Sequence, residues 1–388
     1  MLNKLFRKTP LAWRQVMKEK TRLAVAVAGI AFADILIFVQ MGFEASLYTS
    51  ATKANKMLDG DLIVVDRQFQ SLSTTKSFSR DRLYQILSYS GVKSVSSIYA
   101  GMGQCKNAQT DINRAIMIWG IEPDGASFKL PELRRNASEL KLLNSALFDL
   151  ASRPEYGNVA ESIQKQGQIE ANLNRRDVLV SGLFNLGTSF TADGNVIVGD
   201  STFLRLFPGR QAYEVDVGLI QLKPGVNPIS MRAQLSMGLP KDIKIFTLEE
   251  FVAAERHYVE SGGTIGFIFG LGVIVGFIVG IVIVYQILYT DVANHLPEYA
   301  TLKAMGYGDG YFIGVLMQEA LLLAAFGFIP GYLVSIGIYQ IAYVATLLPI
   351  GMTVERAVHV FLLTVVMCTF SGAIALRKLQ SADPADVF

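Results

Sequence analysis

The sequence predicts an integral membrane protein with four membrane-spanning helices and one large α+β domain between the first two. Of its 388 residues, 51% are hydrophobic and only 18% are charged, and the mean hydropathy of +0.36 is high for a soluble protein. Long apolar runs stand at both ends of the chain, each able to supply the roughly 20 helical residues that cross a bilayer core. A polar stretch of ordinary globular composition separates them.

The predicted organisation has eight segments. They are a cytoplasmic amphipathic N-terminal helix (1–22), a first span (23–46), the periplasmic α+β domain with helical stalks (47–262), a second span (263–290), a short cytoplasmic helix (291–310), a third span with a kink and an extracytoplasmic elbow (311–348), a fourth span (355–376) and a cytoplasmic tail (377–388). Segment 1–22 contains seven basic residues and one acidic residue. By the positive-inside rule, this excess of basic residues places the N-terminus in the cytoplasm. A multi-pass membrane protein is expected, and the resemblance to a known family described below implies the bacterial inner (plasma) membrane.

The third apolar run decides the number of spans. As one straight helix, 311–348 would be roughly 57 Å long, nearly twice the hydrocarbon thickness, while two spans with a turn would barely fit. Two spans would also place Arg377 and Lys378 on the wrong side of the membrane. We therefore expect one span that bends near Pro330 and Gly331 and continues as a buried or interfacial segment.

Within the domain, helical and β-rich patterns are mixed. Seven strands are predicted, at 61–65, 92–99, 115–121, 177–180, 195–198, 213–222 and 242–246. Four helices are predicted between them, at 79–88, 130–150, 201–206 and 228–237. The polar section 153–176 is expected to be a loop or an inserted lobe.

No catalytic or metal-ligating constellation is found in the sequence. The three histidines, His257, His295 and His359, are scattered over three segments by the predicted topology. No Gly-x-Ser-x-Gly elbow and no Gly-x-x-x-x-Gly-Lys-Ser/Thr loop occurs, so this chain is expected to bind no ATP phosphates itself and not to be an enzyme. The net charge of +2 gives no indication of a nucleic-acid partner.

Two features of the spans are candidates for function. Asp34 lies deep in the first span, where an acid is costly in lipid, so it must face protein. It either belongs to a proton or substrate path, with Gln318 or Glu319 of the third span, or it only fixes helix packing. The second span carries small residues that let helices approach closely, within one chain or between two copies, namely Gly266, Gly270, Gly272, Gly276 and Gly280.

The segment His295–Gly306 interrupts two very apolar runs and is predicted to be a short helix. Pro297 suits its first turn, Glu298 suits the positive end of the helix dipole, and Gly306 can cap its end in the left-handed conformation. Spacing alone also fits an ordinary connector between two spans. Such a short helix is unstable alone in water and is expected to lean on a partner.

These residues carry a family resemblance. One span, a large domain and then three spans, with Glu298-Tyr-Ala-Thr-Leu-Lys-Ala-Met-Gly306 between the second and third, resembles the MacB and FtsX class of ABC transporter permeases. Phe32–Phe43 and His295–Gly306 are similar to the DevC permeases of cyanobacteria, and the tail Asp383–Phe388 is similar to the Pro-Ala ending common in the class. Unlike MacB itself, the chain has no fused ATPase, which fits the DevC type.

The resemblance implies that this segment is a cytoplasmic coupling helix that docks on a separate ABC ATPase subunit, which binds ATP and Mg. The residues it assigns to the coupling site are Glu298, Tyr299, Leu302, Lys303, Met305 and Gly306. Further implied partners are a second copy of the chain, a periplasmic adaptor, an outer-membrane channel and membrane lipid, in ATP-driven export of a lipid-class substrate such as a glycolipid. Two alternatives keep the architecture: an FtsX-like transmitter that regulates a cell-wall hydrolase, and a lipoprotein-releasing permease.

Overall fold

The computed structural model describes residues 13, 17, 20–106, 112–189, 192–261, 264–295, 297–298, 301–302 and 305–381. These residues fall into two compact units. The membrane unit lies within 1–45, 264–345 and 350–388, and the globular domain lies within 46–263 together with 346–349. The N-terminal helix predicted at 1–22 and the tail predicted at 377–388 lie largely outside the described residues.

The helices alternate with the strands along the middle of the chain. In order, the elements are α1 (Lys20–Lys56), β1 (Leu62–Asp66), β2 (Phe78–Ser79), α2 (Asp81–Leu87), β3 (Val92–Lys106), β4 (Asn113–Ile121), α3 (Pro131–Arg135), α4 (Ala137–Leu140), β5 (Ser145–Asp149), α5 (Val159–Gln166), β6 (Ile169–Leu173), β7 (Arg176–Phe184), β8 (Asn195–Gly199), α6 (Asp200–Leu206), β9 (Glu214–Val215), β10 (Val217–Leu222), α7 (Pro228–Gly238), β11 (Ile243–Thr247), α8 (Leu248–Ser261), α9 (Thr264–Asn294), α10 (Asp309–Thr346) and α11 (Val354–Ser381).

Four helices among the described residues, α1, α9, α10 and α11, are long and apolar enough to cross a membrane. The predicted number of spans is therefore confirmed, while the orientation of the chain stays a prediction. α10 is one helix of 38 residues that continues through Pro330, so the third apolar run provides a single span. The predicted bend at Pro330 does not end the helix.

Within the membrane unit, α1 packs tightly against α9 and α10 because glycines remove side chains at the contacts. A Cβ atom at Gly331 of α10 would lie only 3.0 Å from the Cβ of Asp34 and 3.1 Å from the backbone oxygen of Ala31. On the α9 side, a Cβ at Gly276 would lie 3.1 Å from Ile37. Backbones that approach this closely gain the van der Waals contact that holds membrane helices together.

The globular domain is built on one nine-stranded sheet. Its strand order is β11-β1-β10-β3-β4-β8-β5-β7-β6, and β6 pairs in addition with the end of β3. The six strands from β3 to β6 in this order therefore close into a ring. Successive residues of β4 point to opposite faces: Ile116 and Ile118 belong to one hydrophobic core, Met117 and Trp119 to the other.

The seven predicted strands are all present, but the prediction of one helix at 130–150 is wrong, and one of the two alternatives for 153–176 is excluded. The stretch 130–150 is not one helix: it contains α3, α4 and the buried strand β5, which pairs with β7 and β8. The section 153–176 is not simply a loop, because it contains α5 and β6. The pairing of β5 with β7 and β8, which are distant in sequence, decides the first case, and local composition does not report it. In the second case, β6 forms a hairpin with β7 and also pairs with the end of β3.

Asp149, at the end of β5, fixes the loop that follows β7. Its buried carboxylate accepts hydrogen bonds from the backbone N–H groups of Leu186 and Gly187, at 2.9 and 2.7 Å, and from the Asn195 amide at 2.9 Å. In the same loop, the Thr188 hydroxyl donates to the Leu347 carbonyl at 3.2 Å. The short segment 346–349, between α10 and α11, is therefore part of the domain.

Glu255 of α8 is a buried acid that accepts hydrogen bonds from the loop between β1 and β2. One carboxylate oxygen accepts the Ser71 hydroxyl at 2.6 Å and the other accepts the Leu72 N–H at 2.9 Å. Burial is the largest effect on this group and raises the pKa of Glu255 above its ordinary value of 4.5, although the hydrogen bonds act in the opposite direction.

We expect this raised pKa to make the stability of the chain depend on pH. A carboxyl whose folded-state pKa lies above its unfolded value of 4.5 adds stability below that pH and loses it as pH rises through the folded-state pKa. The thermal midpoint of Glu255→Gln, relative to wild type, should therefore rise as the pH rises from 4.5 to about 8. Glu260→Gln, an exposed acid on the same helix, is the control. A constant difference across this range would contradict the assignment.

Candidate coupling site

The described part of the segment 295–306 forms a helical turn that ends in a left-handed cap. Pro297, Glu298, Thr301 and Leu302 are helical, and the Met305 N–H donates to the Thr301 carbonyl at 3.1 Å. Gly306 has a φ of +95°, and the next residue, Tyr307, donates its N–H to the Leu302 carbonyl at 3.2 Å. This geometry matches the C-terminal cap that the sequence predicts at Gly306.

The side chains of this segment differ in exposure. Glu298 is exposed, Met305 is 64% exposed, and Leu302 is half-buried. Tyr299 and Lys303, which belong to the same predicted set, lie outside the described residues. The described members thus offer one acid and one large apolar side chain to a partner, next to a capped turn.

Four ionisable side chains lie close together where α9 ends and the segment 295–306 begins. Arg22 of α1 lies with its Nη1 3.1 Å from Oδ1 of Asp291 in the last turn of α9. The ring Nδ1 of His295 lies 3.5 Å from the same oxygen. Glu319 of α10 faces Asp291 within hydrogen-bonding reach and lies near the Arg22 guanidinium. We call Arg22, Asp291, His295 and Glu319 the charge cluster.

Asp34 is part of a different site. It is fully buried, and one of its carboxyl oxygens accepts the Thr364 hydroxyl of α11 at 2.7 Å. Gly331 packs against it, whereas Glu319 stands 12 residues earlier on α10, about 18 Å away along the helix. The structure therefore does not bring Asp34 and Glu319 together into the path considered from the sequence. Gln318 is half-buried beside Glu319.

Three of the five glycines of α9 face other spans of the same chain. A Cβ at Gly272 would meet Gln40, one at Gly276 would meet Ile37, and one at Gly280 would meet Met367 and Ala33. At Gly270 no atom lies within 4 Å of such a Cβ. Gly266 is half-buried near the start of the helix. The close approaches at 272, 276 and 280 are thus contacts within one chain.

Sequence reasoning missed Arg22, Asp291 and His295 as a group with Glu319. The sequence identifies Arg22 as one of the basic residues that orient the first span, and His295 as the first residue of the predicted short helix and a histidine outside any metal site. A signal was available, because Asp291 is an acid in the last turn of an otherwise apolar helix. The sequence does not say which helix faces it.

One comparison with known protein families matches the part of the chain that contains α9, α10 and α11. Residues 263–384 match the family of FtsX-like permease C-terminal domains. This part of the chain is an FtsX-like permease domain. The resemblance to the MacB and FtsX class of ABC permeases is therefore confirmed, although the match does not reach the DevC type. Permeases of this class work with an ABC ATPase subunit.

Two solved structures similar to this chain are domains of known transporters. The periplasmic region of MacB from Actinobacillus actinomycetemcomitans is 12% identical and aligns over 50% of this chain and 92% of its own, with a TM-score of 0.35. The extracellular domain of the noncanonic ABC-type transporter YknZ from Gram-positive bacteria is 14% identical and aligns over 44% and 90%, with a TM-score of 0.32. No curated protein sequence matches the permease significantly.

The segment 295–306 is a short connection between two long apolar helices. Among the described residues, no group of three or more His, Cys, Asp or Glu side chains could hold a metal ion. The segment 295–306 connects α9 to α10, and its first residue, His295, belongs to the charge cluster. A force on this segment would reach α9 and α10 through a short, capped connection.

Proposed function

We propose that this chain is the permease subunit of an ATP-driven ABC efflux system of the DevC type. It would export a lipid-class substrate, a glycolipid, through a periplasmic adaptor and an outer-membrane channel. A separate ATPase subunit would bind and hydrolyse ATP with Mg, and this chain would carry out no chemical step. The N- and C-termini would lie in the cytoplasm, and the globular domain in the periplasm.

The observation that carries this proposal is the capped segment 295–306. It follows α9 directly, it precedes α10, and it exposes Glu298 and Met305. Exposed apolar side chains are ordinary when single, but Met305 stands in a motif that resembles the ATPase-docking helix of this permease class. The FtsX-like permease domain, which covers the same residues, supports this interpretation.

The mechanism would transmit motion rather than open a channel. Two permease copies would pair with two ATPase subunits, whose closure on ATP would push the segment 295–306 of each copy. α9 would carry this displacement toward α8, which precedes it in the chain. α1, which is one helix over Lys20–Lys56, would carry it as well. The domain would then change its position relative to the adaptor and drive substrate outward.

Assembly with the ATPase tests this function. We expect the tagged permease, purified from its own cells in detergent, to retain an ABC ATPase, and Met305→Asp to lower the retained ATPase at least about tenfold, because a charge would enter a desolvated docking contact. Glu298→Ala and Leu302→Ala should weaken it less. Met237→Asp is the matched control, since Met237 is an exposed methionine (83%) of the globular domain.

Three results would count against the proposal. The first is a wild-type permease that retains no ATPase, and the second is equal ATPase retention by wild type and Met305→Asp. The third concerns the finer assignment: retention of a cell-wall hydrolase instead of an adaptor and an outer-membrane channel would favour a regulatory permease over an exporter.

A further inference from the structure

The charge cluster is an unusual feature for the interior of a membrane unit. Asp291 and His295 are each 6% exposed and Glu319 is 4% exposed. Asp291 lies in the last turn of α9 and Glu319 in the first half of α10, two helices whose other residues are mainly apolar. Ionisable side chains in membrane helices are rare, face the bundle interior and mark functional positions. Buried ion clusters can often be replaced by apolar residues without loss of stability, so stability alone does not account for this one.

Arg22 fixes α1 to the end of α9 at two points. One guanidinium nitrogen pairs with the Asp291 carboxylate at 3.1 Å, and another donates to the Ile287 carbonyl at 3.3 Å. The second contact is to the backbone, one turn before Asp291. The two contacts come from two different nitrogens of one rigid, planar guanidinium, whereas a lysine would have to reach both acceptors from a single nitrogen.

His295 and Glu319 extend the same contact to the segment and to α10. The His295 N–H and ring Nδ1 both lie 3.1 Å from the Asp291 carbonyl, so the first residue of the segment is held on the last turn of α9. Glu319 of α10 lies within hydrogen-bonding reach of Asp291, and the two carboxyl groups bind each other when one of them carries the proton that is donated. Asp291 is therefore the common partner of three elements: α1, the segment 295–306 and α10.

We infer that the charge cluster is the joint that makes α1 and α10 move together with α9 when the segment 295–306 is displaced. This inference rests on the proposed coupling function for its source of force, but the joint itself is a property of the permease alone. The cluster residues are positioning residues: they touch neither ATP nor substrate. Without the joint, a push on the segment would tilt α9 while α1 and α10 lagged behind.

The test measures the distance between α1 and α10 with spin labels in the full chain. Labels at Val25→Cys and Ile313→Cys use exposed positions on the two helices, and the native Cys105 and Cys368 are buried. Four backgrounds are compared in lipid nanodiscs: wild type, Arg22→Lys, the neutral variant Arg22→Gln/Asp291→Asn/Glu319→Gln, and Ser371→Ala. The neutral variant leaves no buried unpaired charge, so it should fold.

Ser371→Ala is the matched control because it removes a different polar contact between spans, from the Ser371 hydroxyl of α11 to the Ile281 carbonyl of α9 at 2.9 Å. We expect one narrow distance in wild type and in this control, before and after ATP is trapped on the assembled ATPase. In the neutral variant the width of the distribution should roughly double, and Arg22→Lys should fall between the two. ATP hydrolysis should persist in all four.

The inference would be overturned if the distance distribution of the neutral variant were as narrow as that of wild type. Equal broadening of the distribution in Ser371→Ala would also overturn it. The measurement on the permease without ATPase separates this inference from the proposed function. If wild type assembles with no ATPase but the neutral variant still broadens the distance, the joint stands and the coupling function fails. If the wild type assembles with the ATPase but the neutral variant does not broaden the distance distribution, the coupling function stands and the joint fails.

Discussion

Replacing Asp149 by alanine is expected to unfold the globular domain or bring it close to unfolding. Three donors, the Leu186 and Gly187 N–H groups and the Asn195 amide, would lose their acceptor in a buried place, and the Ala151 N–H would lose a bond at 3.1 Å. Each buried polar group left unsatisfied costs about 1–3 kcal/mol. The loss should reach at least about 4 kcal/mol, against a total stability of about 5–15 kcal/mol for a typical domain.

Thermal and urea unfolding of the full chain in detergent, followed by circular dichroism, measures this loss. Asp177→Ala is the matched control, because the Asp177 carboxylate accepts one bond, from the Asn172 amide at 2.7 Å, at an exposed position. An exposed hydrogen bond of this kind should change stability by less than about 1 kcal/mol. Equal losses in the two variants would show that the loop after β7 does not depend on Asp149.

The effect of Asp149→Ala should also reach the segment between α10 and α11. The loop that Asp149 holds includes Thr188, whose hydroxyl binds the Leu347 carbonyl. Leu347 adopts a φ of +54°, a conformation that a leucine rarely takes unless its surroundings hold it there. Hydrogen exchange at 346–349 should therefore accelerate in Asp149→Ala and stay unchanged in Asp177→Ala.

The sequence was sufficient for the features that depend on local pattern. The four spans follow from long apolar runs, and strands such as β4 and β8 follow from short β-rich runs bounded by turns. The cap at Gly306 follows from the need for a residue that tolerates positive φ at the end of a short helix. Each of these features is determined by residues that are close together in the sequence.

The sequence was insufficient where the partner lies far along the chain. β5 has an apolar core that fits a helix or a strand, and its pairing with β7 and β8 decides the matter. Arg22 and Ile287 are separated by 265 positions, so the spacing of residues within one helix gives no sign of their contact. The sequence offers Glu319 as a candidate partner of Asp34, but tertiary packing places Asp291 opposite Glu319 and Thr364 beside Asp34.

Gly331 of α10 tests whether close backbone contact holds the membrane unit together. A Cβ there would lie 3.1 Å from the Ala31 backbone oxygen and 3.2 Å from its Cα, and backbone atoms cannot turn aside as a side chain can. Leucine at this position must therefore push α10 away from α1. That separation would also disturb Asp34, whose Cβ lies 3.0 Å from the same point and whose carboxyl group binds Thr364.

We expect Gly331→Leu to cost about 3 kcal/mol or more, the upper range for overpacking in a close-packed interior, and to lower both the thermal midpoint and the yield of folded protein in detergent. Gly337→Leu is a stringent control, because Gly337 lies in the same helix and no atom approaches a Cβ there within 4 Å. It should be neutral or slightly stabilising, since leucine favours helix more than glycine does. Similar losses in both variants would mean that helix propensity or lipid contact, rather than the approach of α10 to α1, sets the stability of this unit.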